Sequence, residues 1–285
     1  MPPPTARLLI CCPDTPGIIA AVAGFVARHR GNILEADQHT DPQLGQFFMR
    51  VEIELGGFDL SPQTFDDAWR PVAKQHAMAW RIHWGDRTKR MAILVSKQDH
   101  CLADLLWRCR SGEIPADIAF VAGNHQAARD PVTAAGLPFH HLPITPDNKP
   151  QQENRLAHLL DDASVDFVVL ARYMQILAPE FVERFPERII NIHHSFLPAF
   201  AGPRPYHQAF ERGVKIIGAT SHYATADLDA GPIIAQATAT VGHRDTVEDL
   251  VRKGRDLERI VLAYAVRLHV QDKILVSQNK TVVFD

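Results

Sequence analysis

The sequence predicts an α/β protein of two domains: a β-α-β-β-α-β unit over residues 1–86 and a doubly wound, mostly parallel α/β unit over residues 87–285. Three observations predict this division. Strict period-two alternation marks half-buried strands in the first part of the chain. Pro and Gly punctuate two helices between those strands. From Met91 onward, short runs that are apolar throughout alternate with helical stretches, which is how a parallel sheet covered on both faces reads. A length of 285 residues suits two domains, each able to bury its own core.

Leu8-Leu9-Ile10-Cys11-Cys12 reads as the first strand, ended by Pro13-Asp14. Thr15 is placed to cap a helix with Pro16 at its first position, where no N–H is needed. Ile18, Val22, Phe25 and Val26 carry that helix to about Arg30, and Gly31 stops it. Asn32 to His39 is a second strand before the turn at Asp41-Pro42. In the third strand Met49, Val51, Ile53 and Leu55 alternate with Arg50, Glu52 and Glu54, which predicts one buried face and one wet face. Ser61 caps a second helix with Pro62 at its first position, and Phe65, Trp69 and Val72 form its stripe. Met78, Trp80 and Ile82 alternate in a fourth strand. The order is ferredoxin-like. The polar run Gly85-Asp86-Arg87-Thr88-Lys89-Arg90 places the domain boundary.

Beyond it, Met91–Val95, Ile118–Val121, a piece near Phe139–Leu142, Val165–Leu170 and Arg188–His193 read as strands. Helices are expected around Leu102–Trp107, Gln126–Ala135 and Glu153–Leu160. Ligands on such sheets bind beyond the carboxyl ends of the strands.

Composition narrows the function. With 30 Lys+Arg against 33 Asp+Glu, a formal net charge of −3 offers neither a basic nucleic-acid footprint nor a polybasic membrane face. Cys11, Cys12, Cys101 and Cys109 make no disulfide framework and read as reduced thiols in a cytoplasmic protein. Thr15 to Ala27 is mostly apolar, but it is interrupted at its start by Pro16 and falls short of the ~18 residues of a membrane span. No G-x-G-x-x-G follows a strand, and neither a P-loop nor a G-x-S-x-G elbow occurs, which argues against those dehydrogenase, NTPase and hydrolase classes.

The strand at Arg188 runs out into Asn191-Ile192-His193-His194-Ser195-Phe196-Leu197-Pro198. Asn191 and His193 stand at i and i+2, so a persisting strand puts both side chains on one face. A second polar cluster, Thr225-Ala226-Asp227-Leu228-Asp229-Ala230-Gly231-Pro232, follows 38 residues on. A carboxylate beside an amide and an imidazole can attack a carbonyl: the amide donates to a developing oxyanion while His and Asp shuttle protons. A zinc site from His193, His194, His207 and His222 is conceivable among 15 histidines, but their spacing fits no zinc motif and no metal is expected.

Two resemblances add to this reading. Pro13-Asp14-Thr15-Pro16-Gly17-Ile18, between strand and helix, resembles the ligand loop of the ACT family of amino-acid-sensing modules. That resemblance implies a small amino-acid effector at Asp14, Gly17, Ile18 and Asn32, and a homo-oligomer, since such sheets commonly pair. From Met91 onward, Asn191-x-His193 with Ser195-x-Leu197-Pro198, then Gly218-Ala219-Thr220-x-His222, then Leu228-Asp229-x-Gly231-Pro232-Ile233-Ile234 resemble, in order, the signature of the folate-dependent formyltransferase family. The resemblance implies Asn191, His193 and Asp229 as the catalytic residues. It implies a folate-binding wall from Leu170–Leu177, with Arg172, Met174, Ile176 and Leu177, together with His194 and Asp227. Arg172 or Arg204 would meet the folate's glutamate carboxylates.

Two departures matter. Ser96-Lys97-Gln98-Asp99-His100-Cys101 stands where the family's ribonucleotide transformylases carry a glycine-rich phosphate loop, and it is a poor phosphate cradle. His194 replaces their usual proline. An ACT-like module ahead of such a domain, with Arg204-Pro205-Tyr206-His207-Gln208-Ala209, is similar to the family's hydrolytic members. These release formate and tetrahydrofolate from 10-formyltetrahydrofolate, which balances one-carbon pools and supplies formate for purine synthesis. No tightly bound cofactor is implied. Formyl transfer to an amine is the alternative within the same fold, and a folate-sensing protein with no activity is the alternative outside enzymes.

Overall fold

Alternating apolar residues build the first sheet. The computed structural model describes residues 4–85, 87–198 and 205–285, so Asp86 and Arg204 lie outside the described residues. It forms two units, one of which starts with Met1–Thr88 and the other at Lys89. The first contains β1 (Thr5–Pro13), α1 (Ile18–Arg28), β2 (Asn32–Asp41), β3 (Gln46–Glu54), α2 (Phe65–Gln75) and β4 (Ala79–Trp84). The sheet runs β2-β3-β1-β4, with antiparallel neighbours throughout. Leu8, Ile10 and Cys12 share a face with Met49, Val51 and Ile53, and that face buries Phe25 of α1 and Phe65 and Trp69 of α2. Both helices begin later than their sequence caps suggest. Gly17, at φ 94, takes the N-cap of α1 in place of Thr15, and no side chain caps it. Thr64 precedes α2, while Ser61 donates its backbone N–H to the Thr64 hydroxyl at 3.0 Å.

In the second unit come β5 (Lys89–Val95), α3 (His100–Arg110), β6 (Ala116–Gly123), α4 (Arg129–Ala134), β7 (Phe139–His141), α5 (Lys149–Asp162), β8 (Phe167–Leu170), α6 (Pro179–Glu183), β9 (Ile189–His193), α7 (Pro205–Arg212), β10 (Ile216–Tyr223), β11 (Ile233–Thr240) and α8 (Val247–Val270). The sheet order is β11-β10-β9-β8-β5-β6-β7. β9, β8, β5, β6 and β7 are parallel, and β10 runs against both of its neighbours. Met91, Ala92, Ile93, Leu94 and Val95 of β5 are all buried, as a strand covered on both faces requires. The chain builds β6 and β7 on one side of β5 and then crosses to β8 on the other. That places a topological switch point between β5 and β8.

The C-terminus departs from the expected division. Gln271–Ser277 and Val282–Asp285 belong to the first unit, not to the unit that begins at Lys89. The first of these segments ends in β12 (Ile274–Ser277), which pairs with β13 (Lys280–Val283). Leu275 and Phe284 pack on Leu9 and Phe48, covering the sheet face opposite the helices. The face of β3 expected to be wet is therefore partly dry. Arg50 is 1% exposed, donates Nε to the Asp272 carbonyl at 3.2 Å and Nη2 to Glu52 at 2.7 Å, and pairs through Nη1 with Glu35. Among the described residues, no helix is long and apolar enough to cross a membrane.

Candidate active site

The carboxyl ends of β8 and β9 and the loop before β11 converge on one cavity of about 540 Å³, a size suited to a small-molecule ligand. Asn191 and His193 leave β9 on one face, as their i, i+2 spacing predicts, because both reach the same carboxylate. His193 Nδ1 lies 3.1 Å from Asp229 Oδ2, and Asn191 Nδ2 lies 3.5 Å from Asp229 Oδ1. The three residues expected to act together are brought together.

His222 is the partner that sequence reasoning missed as a functional group. It sits directly across from Asn191 in the antiparallel β9–β10 ladder. Its Nδ1 is 3.0 Å from the Tyr223 carbonyl, which fixes the proton there and leaves Nε2 to accept from Asn191 Nδ2 at 3.1 Å. That bond sets which way the Asn191 amide faces. His193 follows the same logic in reverse. Nδ1–H donates to Asp229, so the lone pair is on Nε2, which is buried and has no partner among the described residues. An imidazole held in that tautomer by a carboxylate is a general base aimed away from its orienting group.

Burial alone would push the Asp229 carboxyl up, but the hydrogen bond from His193 Nδ1 outweighs it and holds the group well below the usual carboxylate range. It therefore remains an anion. His194 goes the other way: burial, reinforced by the charges of Arg172 and His193, pushes it down to about 4, so its ring is neutral near pH 7. Asp229 has φ 54, in the left-handed region that Asp tolerates better than most residues. Gly231 is required nearby, because a Cβ there would lie 1.9 Å from the Tyr223 carbonyl oxygen. Two bonds hold the loop from outside: Asn279 Nδ2 donates to the Ala230 carbonyl at 2.9 Å and Thr281 Oγ1 to the Ile233 carbonyl at 2.6 Å.

Met174, Ile176 and Leu177 line the cavity. Met174 and Ile176 are 57% and 61% exposed, and Leu228 on the facing loop is 63% exposed, so an open apolar slot is ready for a flat ring. His194 and Arg172 line it too. Asp227 does not. Its carbonyl instead accepts from Thr225 Oγ1 at 3.1 Å, so it shapes the turn rather than the wall. Arg172 is 8% exposed and engaged by protein groups, Gln98 at 3.1 Å and Glu258 at 3.4 Å, which removes it as a free partner for a carboxylate tail. Arg255, exposed on the cavity rim, was not foreseen.

In the first unit, Gly17 and Asp14 are exposed in the loop before α1, and Asn32 donates to Glu54 at 3.1 Å. Ile18 corrects its expectation. At 2% exposure it is part of the core with Val22 and Phe25, so its side chain is not offered to an effector.

His100, Cys101 and Glu258 place three metal-type donor atoms within 4.8 Å of one another. The Arg172 guanidinium already holds that carboxylate, and burial pushes the Cys101 thiol up, so the set suits an internal ion pair better than a cation.

Residues 89–266 match the formyl transferase family model and residues 6–59 the ACT domain model. The chain is 56% identical to formyltetrahydrofolate deformylase of Synechocystis sp. over 98% of both chains. It is 48% identical to the crystal structure of a formyltetrahydrofolate deformylase from Pseudomonas syringae, with a TM-score of 0.96 over 99% of this chain and 95% of that one. A glycinamide ribonucleotide transformylase from Symbiobacterium toebii covers 71% of this chain and 97% of its own, at 34% identity and a TM-score of 0.66.

Proposed function

The chain belongs to the formyltetrahydrofolate deformylase family, and from that premise we propose that it hydrolyses 10-formyltetrahydrofolate to formate and tetrahydrofolate. The observation that carries the proposal is the 3.1 Å contact of His193 Nδ1 with Asp229, which leaves Nε2 as a buried base facing the cavity. His193 Nε2 takes a proton from water as the oxygen attacks the formyl carbon. Asn191 turns to the oxyanion of the tetrahedral intermediate the amide N–H that in the resting site is directed at Asp229 Oδ1, 3.5 Å away. Asp229 stabilises the imidazolium, which then gives its proton to N10 as the C–N10 bond breaks. Met174, Ile176, Leu177 and Leu228 hold the pterin, and Arg255 at the rim suits the carboxylate tail.

The setting is part of the same proposal. The enzyme works in the cytoplasm without a tightly bound cofactor, supplying formate for purine synthesis, and the first unit takes a small amino acid at Asp14, Gly17 and Asn32 within a homo-oligomer. Supporting the effector site is the glycine at φ 94 in an exposed loop, where the missing side chain lets a small ligand approach the backbone closely. The deciding experiment is incubation with 10-formyltetrahydrofolate and no amine acceptor. Stoichiometric formate is expected, and its absence at saturating substrate refutes the hydrolase reading.

A further inference from the structure

In a doubly wound sheet the natural crevice for a ligand lies at the switch point, here between the carboxyl ends of β5 and β8. The first turn of the helix after β5 adds the positive end of its dipole, which favours an anion. In this protein the crevice is stitched shut from within. Ser96, after β5, donates its N–H to the Arg172 carbonyl at 3.3 Å, and its hydroxyl accepts from the Met174 N–H at 2.8 Å. Arg172 Nε donates to Gln98 Oε1 at 3.1 Å. Arg172 itself has φ 61, a conformation that suits glycine, yet it carries a long charged side chain that is 8% exposed.

Beside α3 lies an anion that the protein supplies itself. Glu258 of α8 is 1% exposed. Its oxygens accept from Tyr206 Oη at 2.7 Å, contact His100 Nε2 on the first residue of α3 at 2.7 Å and pair with Arg172 at 3.4 Å. Burial would raise this carboxyl, but His100, Arg172 and Tyr206 together hold it below its ordinary range. Gly254 makes room for the arrangement, since a Cβ there would lie 2.1 Å from the Tyr206 ring. Gln98, Arg172, Tyr206 and Glu258 all line the cavity that holds Asn191, His193 and Asp229.

We propose that Arg172 and Glu258 fill the crevice where a phosphorylated amine would otherwise sit, and so determine that water rather than an amine receives the formyl group. The inference rests on the hydrolase reading above. An anionic acceptor would have to displace a buried, triply partnered carboxylate, which water need not do. The second unit shares its fold with a transformylase at 34% identity, so the exclusion must come from side chains rather than from architecture. With the crevice opened, an amine nitrogen would take the place of the water oxygen. Its N–C bond forms, the C–N10 bond breaks, and the proton it loses ends on N10.

The test supplies 10-formyltetrahydrofolate with glycinamide ribonucleotide and counts formate against N-formyl product. Wild type is expected to yield formate only, at a rate unchanged by millimolar glycinamide ribonucleotide or inorganic phosphate. In the paired variant Arg172→Gly/Glu258→Gln, glycine suits the backbone and glutamine keeps the bonds of Tyr206 and His100. Its N-formyl product should rise at least about tenfold over wild type, the low end of what a pocket change does to discrimination. Phosphate should inhibit this variant competitively. A folded variant that still gives formate alone overturns the proposal. So does a wild type that phosphate inhibits competitively, which decides the matter even if the variant fails to fold. Wild type releasing no formate at all would instead sink the hydrolase reading, and this inference with it.

Discussion

Each unit buries an arginine, and the two are used differently. Arg50, in the first unit, spends its donors on Glu35, Glu52 and the carbonyls of Asp272 and Gln271. Arg172, in the second, is pinned through Nε by Gln98 and Glu258, while Nη1 is buried with no partner among the described residues. A buried cation whose every nitrogen is satisfied by its own chain is a structural fastener. One that lines a cavity, its Nε held by the protein and a guanidinium nitrogen left over, helps to set what that cavity admits. The two histidines show the same contrast at close range: His222 has both ring nitrogens engaged, whereas His193 keeps Nε2 open.

The comparison can be broken most severely at the carboxylate. Asp229→Asn keeps a residue that tolerates the left-handed backbone but no longer fixes the His193 tautomer, so kcat for formate release should fall about 10⁴-fold. A loss under tenfold would mean that His193 is not oriented by this residue. Arg50→Met strips a cation from several acidic neighbours and should destabilise the first unit by about 3–5 kcal/mol in urea titrations. Formate turnover of the folded protein should stay at the wild-type level; if turnover collapses while stability holds, the fastener reading is wrong. Asn191→Ala should fold and lose roughly 10²–10³ in kcat, the usual worth of one oxyanion donor. Near-wild-type turnover would remove it from the mechanism.

The mildest effect is on pH. His194 is held at about 4 when folded against an ordinary value of 6.5. Between those values the unfolded chain binds the proton and the folded one does not, so acid favours unfolding across that window. Stability should fall as pH drops from about 6.5 to about 4, and His194→Gln should flatten that slope in urea titrations at a series of pH values. At still lower pH the depressed Asp229 adds its own loss, because its stabilisation is present above the unfolded carboxylate range and disappears as the folded group protonates.

How far the chain could be read in advance depended on whether the relevant neighbours were local. The inward set Met49, Val51 and Ile53 and the pairing of Asn191 with His193 on one face need only period two, and both hold in the fold. The role of Asp229 needed the family resemblance, since nothing in a 38-residue gap states that its ends meet. His222 escaped as a functional partner because it depends on the antiparallel register of β9 and β10. β10 itself is interrupted by Gly218 and carries the polar Ser221 and His222, so it reads less plainly as a strand than its apolar neighbours. Glu258 escaped because Arg252-Lys253-Gly254-Arg255-Asp256-Leu257-Glu258-Arg259 looks like a solvated helix face. Arg50 was misread because the segment that dries its face lies more than two hundred residues further along the chain.

On the proposed mechanism, the bonds from Asn279 and Thr281 to the carbonyls of Ala230 and Ile233 give the last residues a share in turnover. Neither residue has reactive chemistry to offer, yet both steady the strip of backbone on which the Asp229 carboxylate is mounted. Clipping the polypeptide after Ser277 would leave the pterin slot standing while Asp229 drifts from its histidines, an enzyme that still holds folate but has lost its stroke.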